Sequence, residues 1–102
     1  IKKPEILILD EPIANLDYKS KFFLIDKINE LSKLNTKILC VTHDISMITK
    51  IYDRVIMLKG GEIIADGIQN KIMNRENLNK LYDIDVDLTK NNGYWTIERL
   101  SR

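Results

Sequence analysis

Apolar residues form two short blocks with almost no polar interruption, at 6–9 and at 38–42. Both blocks are too short for a typical helix and are made largely of β-branched residues and leucine. This pattern is typical of strands that are buried on both faces, as in a parallel sheet covered by helices. We therefore predict buried strands at 5–10 and 38–42.

The segment between these blocks shows the spacing of an amphipathic helix, which we place at 18–34, with Asp17 as its N-cap. One stripe is apolar and the opposite face is charged. The apolar stripe consists of Leu24, Ile25, Ile28, Leu31 and Leu34. The order strand, helix, strand predicts a right-handed βαβ unit over residues 5–42.

The predicted elements become shorter after residue 44. Spaced apolar positions predict a short helix at 45–52, and the apolar segment at 54–59 predicts a strand. Gly60–Gly61 is a tight-turn signal, so the chain is expected to return as a second strand at 62–65. These elements predict a β-hairpin that follows the βαβ unit.

The last third of the chain changes character again. Residues 68–82 are polar with spaced apolar positions, which predicts one or two short helices, the second at about 76–82. Two strands, at 86–88 and 94–100, flank the turn signal Asn92–Gly93. A hairpin is therefore predicted near the C-terminal end of the sequence.

Composition narrows the class of protein. The chain of 102 residues suffices for one small domain, and 44% hydrophobic with 30% charged residues fits a globular rather than a disordered protein. The formal net charge is +1 and the basic residues are scattered, so we predict no nucleic-acid partner. The single cysteine cannot form an intramolecular disulfide, and no apolar run approaches the ~20 residues that cross a bilayer.

Polar residues with catalytic chemistry follow both buried strands. Asp10 and Glu11 end the first strand, and His43 follows the second. The carboxyl ends of parallel strands meet at one edge of a sheet, where α/β folds place their ligands. One acid suits Mg²⁺ bound through water, and the other suits orientation of an attacking water. The alternatives are polar strand ends at the surface and a structural histidine. His43 is the only histidine, so the sequence offers no histidine cluster to bind zinc.

Three segments together resemble the ABC-type ATPases over about two thirds of the chain. ILILDEPIANLD at 6–17 resembles the Walker B segment and D-loop of that family. CVTHD at 40–44 is similar to its switch-histidine segment, and DRVIMLKGGEIIADG at 53–67 to the strand and hairpin that follow. The resemblance implies a P-loop NTPase-type α/β fold, with a partial parallel sheet, flanking helices and a C-terminal tail that contains a hairpin.

The resemblance also implies roles for the polar residues in binding ATP and Mg²⁺. Asp10 would hold Mg²⁺ through water, and Glu11 would be the general base for the attacking water. His43 would contact the γ-phosphate and orient that base, so Glu11 and His43 are the expected catalytic residues. Asp17 would contact the nucleotide across a dimer interface, with a purely capping role as its alternative.

Three motifs of the family do not occur in these 102 residues: the P-loop GxxxxGK[ST], which cradles the phosphates, the glutamine loop and the LSGGQ signature. We therefore expect residues 1–67 to be the C-terminal part of an ATPase core and 68–102 to be its tail. Alone, the chain is expected to be inactive toward ATP.

The family's sheet order places the phosphate-loop strand between the strands predicted here at 38–42 and 54–58. Its slot would be empty in this chain, which would leave unpaired strand edges. We expect the two strands to close on each other, a second copy to fill the slot, or the chain to be only marginally stable.

The segment ENLNKLYDIDVDL at 76–88 is similar to the tail of ATPases that serve iron-siderophore, haem, cobalamin and metal importers. This implies a parent protein that drives import by hydrolysing Mg·ATP. It would pair head-to-tail with a second ATP-binding subunit and rest on transmembrane permease subunits, in the cytoplasm at the inner face of the cell membrane. The alternatives are a non-transport ABC-type ATPase in DNA repair or chromosome maintenance, and a non-catalytic assembly module.

Overall fold

A computed structural model describes residues 5–100 of the chain. They form two compact units, which divide between Met47 and Ile48. Both units contain helices as well as strands, and the predicted α/β class is confirmed. This division separates compact units, whereas the predicted boundary at residue 67 separates the ATPase core from its tail. The predicted boundary therefore stays a prediction. Within residues 5–100, no helix is long and apolar enough to cross a membrane.

The first unit is the predicted βαβ arrangement. Strand β1 is Glu5–Asp10, helix α1 is Tyr18–Ser32 and strand β2 is Thr36–Val41. The two strands pair in parallel, in a register that runs from Glu5 opposite Thr36 to Asp10 opposite Val41. The ends of both strands therefore lie at the same edge of the sheet.

Helix α1 packs against β2 and buries Ile25 and Ile28. It ends at Ser32, two residues earlier than predicted, because the amides of Lys33 and Leu34 bond three residues back, in the tighter 3₁₀ pattern that often closes a helix. Leu34 therefore lies beyond the helix and is exposed, so its predicted place on the apolar stripe is wrong.

The prediction that the first strands are buried on both faces is wrong for the chain as described. One face of the β1–β2 sheet is half-buried, whereas the other exposes Ile6 (70%), Ile8 (65%), Leu39 (54%) and Val41 (48%). The apolar run nevertheless predicts the strands correctly, because β-branched residues favour extended backbone whether or not both faces are covered.

The predicted helix at 45–52 is also wrong: only Ile45–Met47 forms a single 3₁₀ turn. Residues 45–51 are rich in β-branched side chains, which weaken helices. The carbonyls of Thr49 and Tyr52 accept hydrogen bonds from the Gln69 side chain. These bonds stabilise a non-helical path from Ile48 onward.

The second unit begins with the predicted hairpin. Strands β3 (Arg54–Lys59) and β4 (Glu62–Ile68) are antiparallel, and β4 is three residues longer than predicted. Gly60 (φ 59°) and Gly61 (φ 79°) both adopt positive φ, as a type I′ hairpin turn requires. The longer strand pairs Gly67 with Val55 and adds a bidentate ion pair between Arg54 and Asp66.

Two short helices and a second hairpin complete this unit. Helices α2 (Gln69–Ile72) and α3 (Arg75–Tyr82) match the predicted helical region. Strands β5 (Val86–Asn91) and β6 (Tyr94–Arg99) are antiparallel around the predicted Asn92–Gly93 turn, in which both residues have positive φ. The buried side chains of the unit include Val55, Met57, Met73, Leu78 and Val86.

Strands β2 and β3 belong to separate two-stranded sheets. Among the described strands, β2 pairs only with β1. The predicted closure of the two strands on each other is therefore not seen. Association of two copies and marginal stability concern the chain in solution and stay predictions.

Candidate functional site

The site is built at the carboxyl edge of the β1–β2 sheet. The Glu11 amide donates to the Val41 carbonyl at 2.7 Å, which extends the parallel ladder one residue past β1. Glu11 has a φ of +48°, in the left-handed region that glutamate rarely adopts. Backbone strain of this kind persists where surrounding bonds over-determine it, and it clusters at functional sites. The strain and the ladder bond fix where the Glu11 side chain leaves the sheet.

Glu11 and His43 are in direct contact. The Oε1 atom of Glu11 lies 2.7 Å from Nδ1 of His43, although the residues are 32 positions apart in sequence. The parallel register brings them together, since Asp10 pairs with Val41 two residues before the histidine. The His43 side chain is 85% exposed and that of Glu11 is 34% exposed, so the pair faces solvent.

Electrostatics at the pair favour the imidazolium. The hydrogen bond to Glu11 and then its negative charge raise the pKa of His43, with a smaller contribution from Asp44. Because the partner oxygen belongs to a carboxylate, Nδ1 is the proton donor, and Nε2 of this exposed side chain remains available to a ligand. The pair can therefore present a hydrogen-bond donor to an anion while it holds the Glu11 carboxylate in place.

A turn at residues 42–46 supports the pair. Thr42 Oγ1 lies 3.5 Å from Glu11 Oε2, and the Asp44 amide donates to the same hydroxyl at 3.0 Å. Asp44 Oδ1 accepts from the Ser46 amide at 2.9 Å and from its hydroxyl at 2.6 Å. Both carboxylate oxygens of Glu11 are thus approached by consecutive residues of one hydrogen-bonded turn.

Asp44 also forms an ion pair with α1. Lys21 Nζ lies 3.1 Å from Asp44 Oδ2, and the lysine side chain is 14% exposed. Burial alone would raise the pKa of Asp44, but the hydrogen bonds from Ser46 and Lys21 outweigh it and hold the pKa below its ordinary value. Asp44 is therefore a charged junction between the turn and the helix.

The structure places the other two predicted residues separately. Asp10 ends β1 and its side chain is exposed, whereas Asp17 is the N-cap of α1, with Oδ1 2.8 Å from the Ser20 amide. That backbone hydrogen bond lowers the pKa of Asp17. In residues 5–100, neither aspartate hydrogen-bonds to the Glu11–His43 pair. The capping role of Asp17 is visible, and its role across a dimer interface stays a prediction.

The donor set fits Mg²⁺ bound together with a phosphate ligand. Mg²⁺ is usually held by one or two carboxylates, several waters and substrate phosphates. Asp10 is an exposed carboxylate at the carboxyl end of β1, and Glu11 follows it directly in the sequence. The described residues contain no group of three or more acidic, histidine or cysteine side chains that could hold a metal ion.

The sequence analysis does not predict three contributors to the site, which are Lys21, Thr42 and Asp44. For Thr42 and Asp44 a signal existed, because they flank His43 in the VTHD segment. The partner of Lys21 lies 23 positions away, so only the fold shows the pair.

Similarity to known proteins extends over most of the chain. No protein-family model matches the chain. A hemin import ATP-binding protein, HmuV of Bradyrhizobium diazoefficiens, is 29% identical over 83 residues, which are 81% of this chain and 31% of that protein. An uncharacterized ABC transporter ATP-binding protein of Methanocaldococcus jannaschii is 37% identical over 87 residues, or 84% of this chain and 34% of that protein. The chain is a relative of the ABC transporter ATP-binding proteins. It spans about a third of the length of these curated relatives.

Solved structures agree with the sequence relatives. The cbiO1 protein of Clostridium perfringens, part of the ABC transporter complex cbiONQ, has a TM-score of 0.57 and 28% identity; the match covers 76% of this chain and 31% of cbiO1. An inward-facing structure of a metal-chelate type ABC transporter matches with a TM-score of 0.77, over 96% of this chain and 41% of the transporter chain. The two sequences are 18% identical, so this match shows the fold alone. The predicted resemblance to the ABC ATPases is confirmed.

Proposed function

We propose that this chain forms the metal-and-water half of the ATPase site in an ABC transporter ATP-binding subunit. The observation that carries the proposal is the 2.7 Å contact between Glu11 and His43 at the carboxyl edge of a parallel sheet. A carboxylate held by a histidine at such an edge suits activation of water beside a bound phosphate. The whole protein would bind and hydrolyse Mg·ATP to drive import.

Each residue has a defined task in this proposal. Glu11 would take the proton of the attacking water, and His43 would hold the Glu11 carboxylate and donate to the γ-phosphate from Nε2. Asp10 would hold Mg²⁺ through water. When bound, Mg²⁺ compensates the charge of the phosphate oxygens, which phosphoryl transfer requires. The phosphate cradle would come from a part of the protein outside these 102 residues.

The transported substrate is proposed to be an iron complex or a related metal-containing compound. Support comes from the names of relatives, which include hemin import and metal-chelate transport, and from the tail segment at 76–88. The partners would be a second ATP-binding subunit, arranged head-to-tail with Asp17 near the interface, and transmembrane permease subunits. The protein would then act at the cytoplasmic face of the cell membrane.

Phosphate release from Mg·ATP tests this function. The full-length protein that contains this chain and the isolated 102-residue chain should be assayed side by side, with and without Mg²⁺. We expect Mg²⁺-dependent turnover for the full-length protein and none in the usual enzyme range, about 1 s⁻¹ or faster, for the isolated chain. A full-length protein that binds ATP but never hydrolyses it would favour the assembly-module alternative. Turnover by the isolated chain would contradict the proposed division of the site.

A further inference from the structure

We propose that Lys21 is a positioning residue for the Glu11–His43 pair, acting through Asp44. The catalytic meaning of this inference rests on the proposed function, whereas the geometry is a property of the chain itself. Lys21 touches neither Glu11 nor His43. It anchors the 42–46 turn from which Thr42 and His43 approach the Glu11 carboxylate.

The position of Lys21 on α1 is the first observation. Lys21, Ile25 and Ile28 lie four and three residues apart, so they occupy one stripe of the helix, and both isoleucines are buried. Lys21 is thus a cation on the apolar stripe, where its side chain is only 14% exposed. A mostly buried ammonium costs free energy unless a partner compensates it, and the partner here is Asp44 at 3.1 Å.

The second observation is how Asp44 organises the turn. Its side chain accepts from Lys21 on one oxygen and from two groups of Ser46 on the other. Its amide donates to Thr42 Oγ1, and its carbonyl accepts from the Met47 amide at 3.1 Å. The path of the backbone on both sides of His43 therefore depends on Asp44, and Lys21 is the only cation paired with Asp44 among the described residues.

The third observation is that the His43 side chain makes little packing contact with the rest of the chain. Its side chain is 85% exposed, so packing does not select its rotamer. What remains is the 2.7 Å bond to Glu11 and the backbone position set by the turn. A small shift of the turn would move Nδ1 away from Glu11 Oε1. Thr42 Oγ1 already lies 3.5 Å from Oε2, at the upper limit of hydrogen-bond length, so the same shift would break that contact.

The test compares Lys21→Met, Lys21→Arg and the control Lys27→Met by NMR of the labelled chain. Met matches the stem of lysine and suits the buried stripe, while Arg retains the charge. Lys27 is exposed and pairs with Glu30 within α1. Because His43 is the only histidine, all imidazole N–H signals come from one ring, and Nδ1–H is the one bonded to Glu11.

We expect Lys21→Met to speed exchange of the Nδ1–H proton with water by at least about tenfold, as the bond to Glu11 opens more often. Lys21→Arg should restore slow exchange, and Lys27→Met should leave it unchanged. If Lys21 acted only through its charge, its removal would strengthen the bond between the imidazolium and the carboxylate. Exchange of Nδ1–H would then become slower in Lys21→Met rather than faster. Unchanged exchange in folded Lys21→Met would overturn the proposal.

Two further measurements make the outcome decisive. If Lys21→Met does not fold, Asp44→Asn, which can still accept from Ser46, takes its place, and unchanged Nδ1–H exchange in that variant overturns the proposal. In the full-length protein, Lys21→Met should lower kcat about 10- to 100-fold with little change in KM for ATP, the cost of a slightly misplaced catalytic group. A wild-type protein without hydrolysis would refute the proposed function, while the NMR result would still decide the role of Lys21.

Discussion

Glu11 shows how one residue can satisfy three constraints at the end of a strand. Its amide completes the parallel ladder, its φ of +48° turns the chain out of the sheet, and its carboxylate bonds to His43. The sequence pattern predicts that the strand ends here and that the acids and histidine reach one edge. It could not predict the positive φ, because glutamate rarely adopts the left-handed region.

The contact with Glu11 makes the behaviour of His43 depend on pH. A raised pKa in the folded chain means that the pair stabilises the fold fully below the unfolded pKa of histidine. This contribution is lost as pH rises through the folded pKa. NMR titration of the single histidine should show a lower pKa in Glu11→Gln than in the wild type. Glu5→Gln, at the opposite end of β1, is the control; equal values in wild type and Glu11→Gln would show that the contact does not exist in solution.

Asp17 can be separated into its two predicted roles. Asp17→Ala removes the bond to the Ser20 amide and should lower Tm by about 4–8 °C, whereas Asp17→Ser keeps a capping oxygen and should change Tm little. Thermal unfolding followed by circular dichroism measures both. If Asp17→Ala melts like the wild type, the cap does not stabilise α1. Separately, a loss of hydrolysis in full-length Asp17→Ser, which keeps the cap, would support the role of Asp17 at the dimer interface.

At the scale of elements, sequence patterns performed well where local chemistry decides the structure. Both glycine-containing hairpins, the first two strands and the start of α1 follow from turn residues, β-branched blocks and an N-cap. The helix predicted at 45–52 failed because the Gln69 side chain, 17 to 20 positions away, bonds the carbonyls of that segment. Periodicity within a short window carries no information about such a distant partner.

Gln69 is therefore expected to stabilise the second unit strongly. Its amide donates to the carbonyls of Thr49 and Tyr52, its oxygen accepts from Trp95 Nε1 at 3.0 Å, and it is 5% exposed. Gln69→Met removes all three bonds and should lower the free energy of unfolding by about 2 kcal/mol or more. Urea denaturation measures this, with the exposed neighbour Asn70→Met as the control. A loss equal to that of the control would show that these bonds contribute little.

At the scale of the whole molecule, an apolar sheet face is open to water. Ile6, Ile8, Leu39 and Val41 lie together on it, and monomeric proteins rarely expose a contiguous patch of this kind. The βαβ pattern predicts the strands correctly but not this exposure, since burial depends on what packs from outside the segment. The Lys21–Asp44 pair could not be predicted either, because its partners lie 23 positions apart and meet only in the folded chain.

This open face leads to an expectation for the isolated chain. We expect it to associate in solution or to bind an apolar dye, and Ile8→Thr with Leu39→Thr should reduce both while β-propensity is retained. Light scattering after size exclusion, across a range of concentrations, measures the association. The control pair is Tyr18→Thr with Ile63→Thr, which are exposed elsewhere. A wild-type chain that stays monomeric and binds no dye would contradict this expectation.

The central claim is that Glu11 activates the water that attacks ATP, and the most direct measurement is hydrolysis by full-length Glu11→Gln. Glutamine has nearly the same shape and keeps hydrogen-bonding capacity, but it cannot take up a proton. The account predicts that ATP binding is retained while phosphate release falls by about 10²–10⁴-fold, the usual contribution of a general base. Glu5→Gln on the same strand should hydrolyse ATP like the wild type. Undiminished phosphate release by Glu11→Gln, with the protein folded and ATP bound, would contradict the claim.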